Sequence, residues 1–160
     1  GPANNADFAT RVVVDAVGGV YATGFSSGQN YDWATLKFAP DGTQRWLRRH
    51  TGPGWGDDRP ADMVLDPGGN LILTGFSKNT GDNLTNDAQT LSYDPNGALV
   101  WQRQWTDTVA SHEIPMYMDV DTAGRIAITG TTAESASPYA VPAPVTLRFG
   151  QTATGTHTGR

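Results

Sequence analysis

The chain has 160 residues, a net charge of -5, 38% hydrophobic and 17% charged residues, 19 glycines and no cysteine. That length suits one domain with a core of its own. The lack of cysteine excludes a disulfide framework, thiolate metal sites and cysteine nucleophiles, and the mildly acidic balance argues against a nucleic-acid backbone as the main partner.

No stretch sustains a helical apolar period, and turn-forming dipeptides recur throughout, so the expectation is an all-β chain. No apolar run approaches the length of a membrane helix, which argues against membrane insertion. No signal peptide is visible. Because Gly1-Pro2 reads as a protease scar, that says nothing about a natural targeting segment.

Residues 1–8 read as scar and lead-in, and 9–160 as a single repeat domain. Its first copy, 9–59, predicts strands at Ala9 to Val14, Val20 to Phe25, Trp33 to Phe38 and Thr43 to Arg49. Its second, 60–114, predicts Pro60 to Leu65, Leu71 to Phe76, Ala88 to Tyr93 and Ala98 to Trp105. The third, 115–160, predicts Pro115 to Val120, Arg125 to Thr131 and Pro144 to Phe149, with Gln151 to Thr156 as a weak fourth.

Internal similarity underlies this division. Asp15 to Gly24 reads DAVGGVYATG, Asp66 to Gly75 reads DPGGNLILTG and Asp121 to Gly130 reads DTAGRIAITG. A second element recurs as Thr35 to Phe38, Thr90 to Tyr93 and Thr146 to Phe149. In the first two copies it runs into Pro40-Asp41-Gly42 or Pro95-Asn96-Gly97 and then Trp46 or Trp101. The third copy lacks that Trp. Gly18-Gly19, Gly68-Gly69 and Ala123-Gly124 supply the φ > 0 that a tight hairpin needs, and Asp41-Gly42 and Asn96-Gly97 are strong hairpin signals. The link between second and third strands varies in length, as an exposed loop would. Phe25, Phe76, Phe38, Tyr93, Phe149, Trp46 and Trp101 are the expected filling between sheets.

These motifs resemble the bacterial β-propeller repeats of the SBBP type, over about Ala9 to Phe149. The resemblance implies blades of four antiparallel strands around an axis and is almost silent about function. Propellers have about four to eight blades, and this chain supplies three. The expectation is therefore self-association through the terminal blades, with two chains closing a six-bladed ring. The exposed ends would carry Val12, Val14, Val20, Ala22, Ile126, Ile128, Leu147 and Phe149. Light scattering should then report about twice the chain mass of 17.0 kDa.

Candidate chemistry is sparse. Asp15, Asp66 and Asp121 recur at a strand end, where Asp usually accepts backbone N–H bonds and holds a turn; a ring of carboxylates at a channel mouth is the alternative. Asp57, Asp58 and Glu113 lie just before first strands and are candidates for a cation or polar ligand. His50, His112 and His157 show no metal-ligand spacing. Ser111-His112-Glu113 holds the letters of a triad, but adjacent residues on an extended chain point in alternate directions. Arg45, Arg48 and Arg49 read as a solvated strand face. Asn83-Leu84-Thr85, a formal glycosylation sequon, reads as chance. No metal, cofactor or catalytic residue is assigned.

The leading expectation is a non-catalytic structural or binding module of an exported or cell-surface bacterial protein, with a protein or glycan as ligand. A carbohydrate-binding module is the runner-up, since Trp33, Trp55, Tyr31 and Tyr139 lie in or beside loops. Trp55 is the best platform because Gly54 and Gly56 flank it. An accessory part of a larger hydrolase is the third reading.

Overall fold

The computed structural model describes residues 6–54, 56–79, 85–106, 111–134, 143–149 and 155–158, with side chains described up to Ala133. Among the described residues, twelve strands form three four-stranded antiparallel sheets, each in simple chain order. The first sheet holds β1 (Asp7–Val14), β2 (Val20–Ser27), β3 (Tyr31–Phe38) and β4 (Gln44–His50). The second holds β5 (Arg59–Leu65), β6 (Leu71–Lys78), β7 (Asn86–Tyr93) and β8 (Leu99–Trp105). The third holds β9 (Ser111–Val120), β10 (Ile126–Glu134), β11 (Ala143–Phe149) and β12 (Gly155–Thr158). The repeat therefore maps one copy to one sheet.

Turn chemistry follows the sequence closely. Asp15 Oδ1 accepts the N–H groups of Val17 and Gly19, Asp66 Oδ1 accepts that of Asn70, and Asp121 Oδ1 accepts those of Ala123 and Arg125. The recurring aspartates are turn-holders. Gly18, Gly69 and Gly124 have φ near +80°, as do Gly42 and Gly97 between third and fourth strands. One left-handed residue closes each of these five hairpins, and glycine takes that conformation without a Cβ clash.

The glycine that ends each repeat motif has a different reason. The register of each first strand slips once against its neighbour, at Thr10, Ala61 and Met116. Opposite each bulge stands Gly24, Gly75 or Gly130. A Cβ there would lie 1.8 Å from the Phe8 carbonyl oxygen, 2.2 Å from that of Arg59 and 2.2 Å from that of Ile114. The bulge presses one backbone onto the other, and only glycine leaves the space.

Consecutive sheets pack face to face, with β5 against β1 to β3 and β9 against β5 to β7. Asp62 ties the three first strands together: one carboxylate oxygen pairs with Arg11 at 3.1 Å, and the other accepts the Met118 N–H at 2.8 Å. Between the first two sheets lie Tyr21, Trp33, Trp46, Met63, Leu71, Leu73, Leu91 and Tyr93. Between the second and third lie Ile72, Met118, Ile126 and Ile128, with Trp101 and Trp105 against them. The middle sheet is covered on both faces, so Leu71 to Gly75 is buried without a break. On β10, by contrast, Ile126 and Ile128 are buried while Ala127 and Thr129 are exposed.

Several expectations need correction. Ile126 and Ile128 do not lie on an open end; they face the second sheet. Among the described residues, the first sheet leaves an apolar face uncovered, with Val12 63% and Val14 59% exposed; the side chains of Leu147 and Phe149 lie outside the described residues. On the third sheet the opposite face shows Tyr117, Asp119, Ala127 and Thr129. The strands also outrun their expected limits. Ser27 pairs with Tyr31, so β2 and β3 shorten the first loop to residues 28–30. The fourth strand of the third sheet is displaced to Gly155–Thr158.

Candidate functional site

Tyr31, Trp33, Asp57 and Asp58, four of the residues singled out in the sequence, meet at one seam between the first and second sheets. The linker from β4 to β5 (residues 51–58) crosses this seam, and Asp58 fastens it there. Its N–H donates to the Tyr31 carbonyl at 2.7 Å. Its carboxylate accepts the Gly52 N–H at 2.5 Å and the Lys78 N–H at 2.9 Å. The side chain is fully buried. Burial pushes the carboxyl pKa up; the two backbone N–H groups and the Ser77 hydroxyl pull it down, and the charge of Asp32 adds to the rise. Asp58 is thus a buried staple of backbone.

Glycines let the linker lie this close. A Cβ on Gly52 would stand 2.5 Å from the Ser77 Cβ, one on Gly54 2.4 Å from the Lys78 carbonyl oxygen, and one on Gly56 2.6 Å from the Lys78 Cγ. The glycines around position 55 serve close approach to the end of β6, which is a different reason from the one the sequence suggested. Trp55 and Tyr139 lie outside the described residues, as does the sequon asparagine.

Tyr31 is half-buried in a cluster of rings. It meets Phe8 and Phe25 edge-on, and the Arg59 guanidinium lies over both Tyr31 and Phe25. Asp57 holds that guanidinium at 2.8 Å and accepts the Tyr31 N–H at 3.3 Å. Trp33 is a core residue and no platform: it is 1% exposed, and its indole N–H donates to the Phe76 carbonyl at 3.2 Å. Its ring occupies the space beside Gly75, where a Cβ would meet it at 2.6 Å. The loop reading failed because β3 begins two residues earlier than expected.

Two further residues belong to the seam. His50 meets Trp33 edge-on, and its Nε2 is buried without a hydrogen-bond partner among the described residues. Burial pushes its imidazole pKa down, and the charge of Asp32 pulls it partly back. Asp32 also lines an open hollow of about 450 Å³ with Gln29, Asn30, Thr51, Gly52, Pro53 and Gly54. The sequence signal for this pair is weak, because His50 sits in no repeated motif and Asp32, which recurs as Asp87, stands at a loop end with no chemistry attached.

Glu113 occupies the matching position at the second seam. Asp7, Asp58 and Glu113 stand at one place in the three copies. Asp7 bonds the Ser26 hydroxyl, Asp58 interacts with Ser77, and Glu113 pairs in register with Thr132. Glu113 is buried and accepts a hydrogen bond from the Ser111 hydroxyl, while His112 Nδ1 accepts the Asn86 N–H at 3.2 Å. Ser111 and Glu113 share a face, and His112 is engaged elsewhere, so the three do not form a relay. Among the described residues, no three His, Asp or Glu side chains gather as a metal would require, and no helix is long and apolar enough to cross a membrane.

No family model matches the chain, and no curated protein matches it significantly.

Proposed function

We propose that the chain is a non-catalytic, β-propeller-like repeat module that presents loops and sheet ends for binding, on an exported or cell-surface protein. The observation that supports this most is the repeated packing. Three equivalent sheets stack through equivalent faces, with their first strands tied side by side through Asp62. The acids and aromatics at the seams are absorbed by that packing. The reading expects no turnover on a panel of ester and glycoside substrates; hydrolysis abolished by Asp58→Asn or Glu113→Gln would overturn it. Secretion is checked by finding the protein in the medium or envelope of its source cells.

A carbohydrate-binding role is the second reading. The hollow lined by Gln29, Asn30 and Asp32 favours it, because amides and a carboxylate suit sugar hydroxyls. Trp55 follows its lining residue Gly54 in the chain. A glycan array should show binding that Asn30→Ala and Asp32→Ala remove. An accessory role within a larger hydrolase is tested by reading the full gene.

A further inference from the structure

The uncovered face of the first sheet matches, position for position, the faces that the other two sheets bury. Val12, Val14, Val20 and Ala22 correspond to Met63, Leu65, Leu71 and Leu73, and again to Met118, Val120, Ile126 and Ile128. In the second and third sheets the preceding sheet covers these positions. In the first sheet Val12 and Val14 stand mostly in solvent. A groove of about 380 Å³, whose lining includes Ala22, Ala34, Leu36 and Leu47, runs along the same face.

What covers the face in the second sheet is specific. Trp46 projects from β4 over the hairpin turn between β7 and β8. Its indole N–H donates to the Pro95 carbonyl at 3.2 Å, and its ring lies 2.9 Å from where a Gly97 Cβ would stand. Arg48, two residues on, donates to the Gly97 carbonyl at 2.6 Å. The same turn exists on the first sheet as Pro40-Asp41-Gly42, with the same positive φ at Gly42. Among the described residues, no atom beyond Gly42 and its two chain neighbours lies within 4 Å of a Cβ placed there. The seat for the indole is built, and it is open.

We propose that this face docks another four-stranded sheet of the same repeat type, one whose fourth strand carries Trp-x-Arg, with the indole seated over Gly42 and the arginine on its carbonyl. Here the reading rests on the repeat-module proposal and continues the interface already present between the first two sheets. The third sheet of a second copy is not that donor. Register places Thr156 opposite Arg148 and Thr158 opposite Thr146, the positions that hold Trp46 and Arg48 in the first sheet and Trp101 and Arg103 in the second.

The test extends the full chain with a donor sheet: a copy of residues 59–110 joined directly to Ala6 in place of residues 1–5. Hydrogen exchange of β1 and β2 should slow roughly ten-fold or more relative to the unextended chain, and thermal unfolding should move upward. Trp→Ala at the position of Trp101 in the added copy, or Val12→Lys with Val14→Lys in the original, should remove the gain. Unchanged exchange in the folded extension, or a gain that survives the Trp→Ala change, overturns the proposal. So does light scattering that shows the unextended chain already paired at micromolar concentration with β1 protected. Should the extension fail to fold, anilinonaphthalene sulfonate decides. The unextended chain should bind it and the double-lysine variant should not; no binding by the unextended chain overturns the open face. Glycan and turnover assays leave these outcomes untouched.

Discussion

Gly24, Gly75 and Gly130 do not need positive φ; they need the absence of a side chain. At Gly75 a methyl group would meet the Arg59 carbonyl oxygen at 2.2 Å and the Trp33 ring at 2.6 Å. Gly75→Ala should therefore cost about 1–3 kcal/mol in a denaturant melt, the range for overpacking. Asp58 is the second residue whose loss should be felt. Both carboxylate oxygens accept backbone N–H groups, and in Asp58→Asn one of those donors faces an amide nitrogen. The expected cost is about 1–3 kcal/mol.

His50 adds a pH dependence. Its imidazole is held below 6.5 by burial, so between that lowered value and 6.5 the unfolded chain binds more protons than the folded one. Stability should fall as pH drops through that window. Asp58 works the other way at lower pH: its carboxyl is raised above 3.8, so stability should gain as pH falls from that raised value toward 3.8. Unfolding free energies at pH 7 and 6 should differ in the wild type, and His50→Gln should flatten the difference. Of these residues, the sequence disclosed the ones whose chemistry is local. Asp15, Asp66 and Asp121 hold turns a few residues away, so their role is visible without a fold. Asp58 and His50 act on backbone and rings that only the stacking of two sheets brings near.

The elements show the same division. Five hairpins follow from glycine and aspartate placement, because a turn is decided by a few adjacent residues. Strand ends do not, because pairing extends until a neighbour runs out; Ser27 with Tyr31 and Lys78 with Asn86 continue ladders that the residue types alone do not mark. That shift moved Trp33 from the expected start of a strand, beside a loop, into the core. The fourth-strand tryptophans were expected to be equivalent, and their packing differs in degree. Trp46 is buried over the Asp94 to Gly97 turn, while Trp101 is half-buried. Trp46→Ala should cost about 3–5 kcal/mol and Trp101→Ala less, by chemical denaturation. The two turn glycines offer a finer check. Gly42 and Gly97 share φ +82°, and only Gly97 lies under the indole. Gly42→Ala should cost about 1–2 kcal/mol for the left-handed conformation alone, and Gly97→Ala distinctly more. Equal costs would mean that the indole does not rest there.

At the scale of the molecule, each sheet depends on its neighbour. A four-stranded sheet cannot hide its apolar faces alone, and stacked repeats derive stability from shared interfaces. Two interfaces hold the three sheets together. The first buries eight core residues and adds the Trp46 and Arg48 bonds to the neighbouring turn. Among the described residues, the second buries four, with Trp101 and Trp105 only partly covered. Apolar burial contributes about 25 cal/mol per Å², and the middle sheet gains it on both faces. The third sheet should open more easily than the middle sheet, which is held from both sides. Native-state hydrogen exchange should rank the amides of β6 and β7 as slowest and those of β9 and β10 as faster. Leu73→Ala, in the first interface, should cost about 2–5 kcal/mol and speed exchange throughout the first two sheets. Ile128→Ala should speed it mainly in the third. Uniform exchange across all three sheets, with both substitutions felt everywhere alike, would show instead that the molecule unfolds as one unit and that coverage on both faces does not set its most protected part.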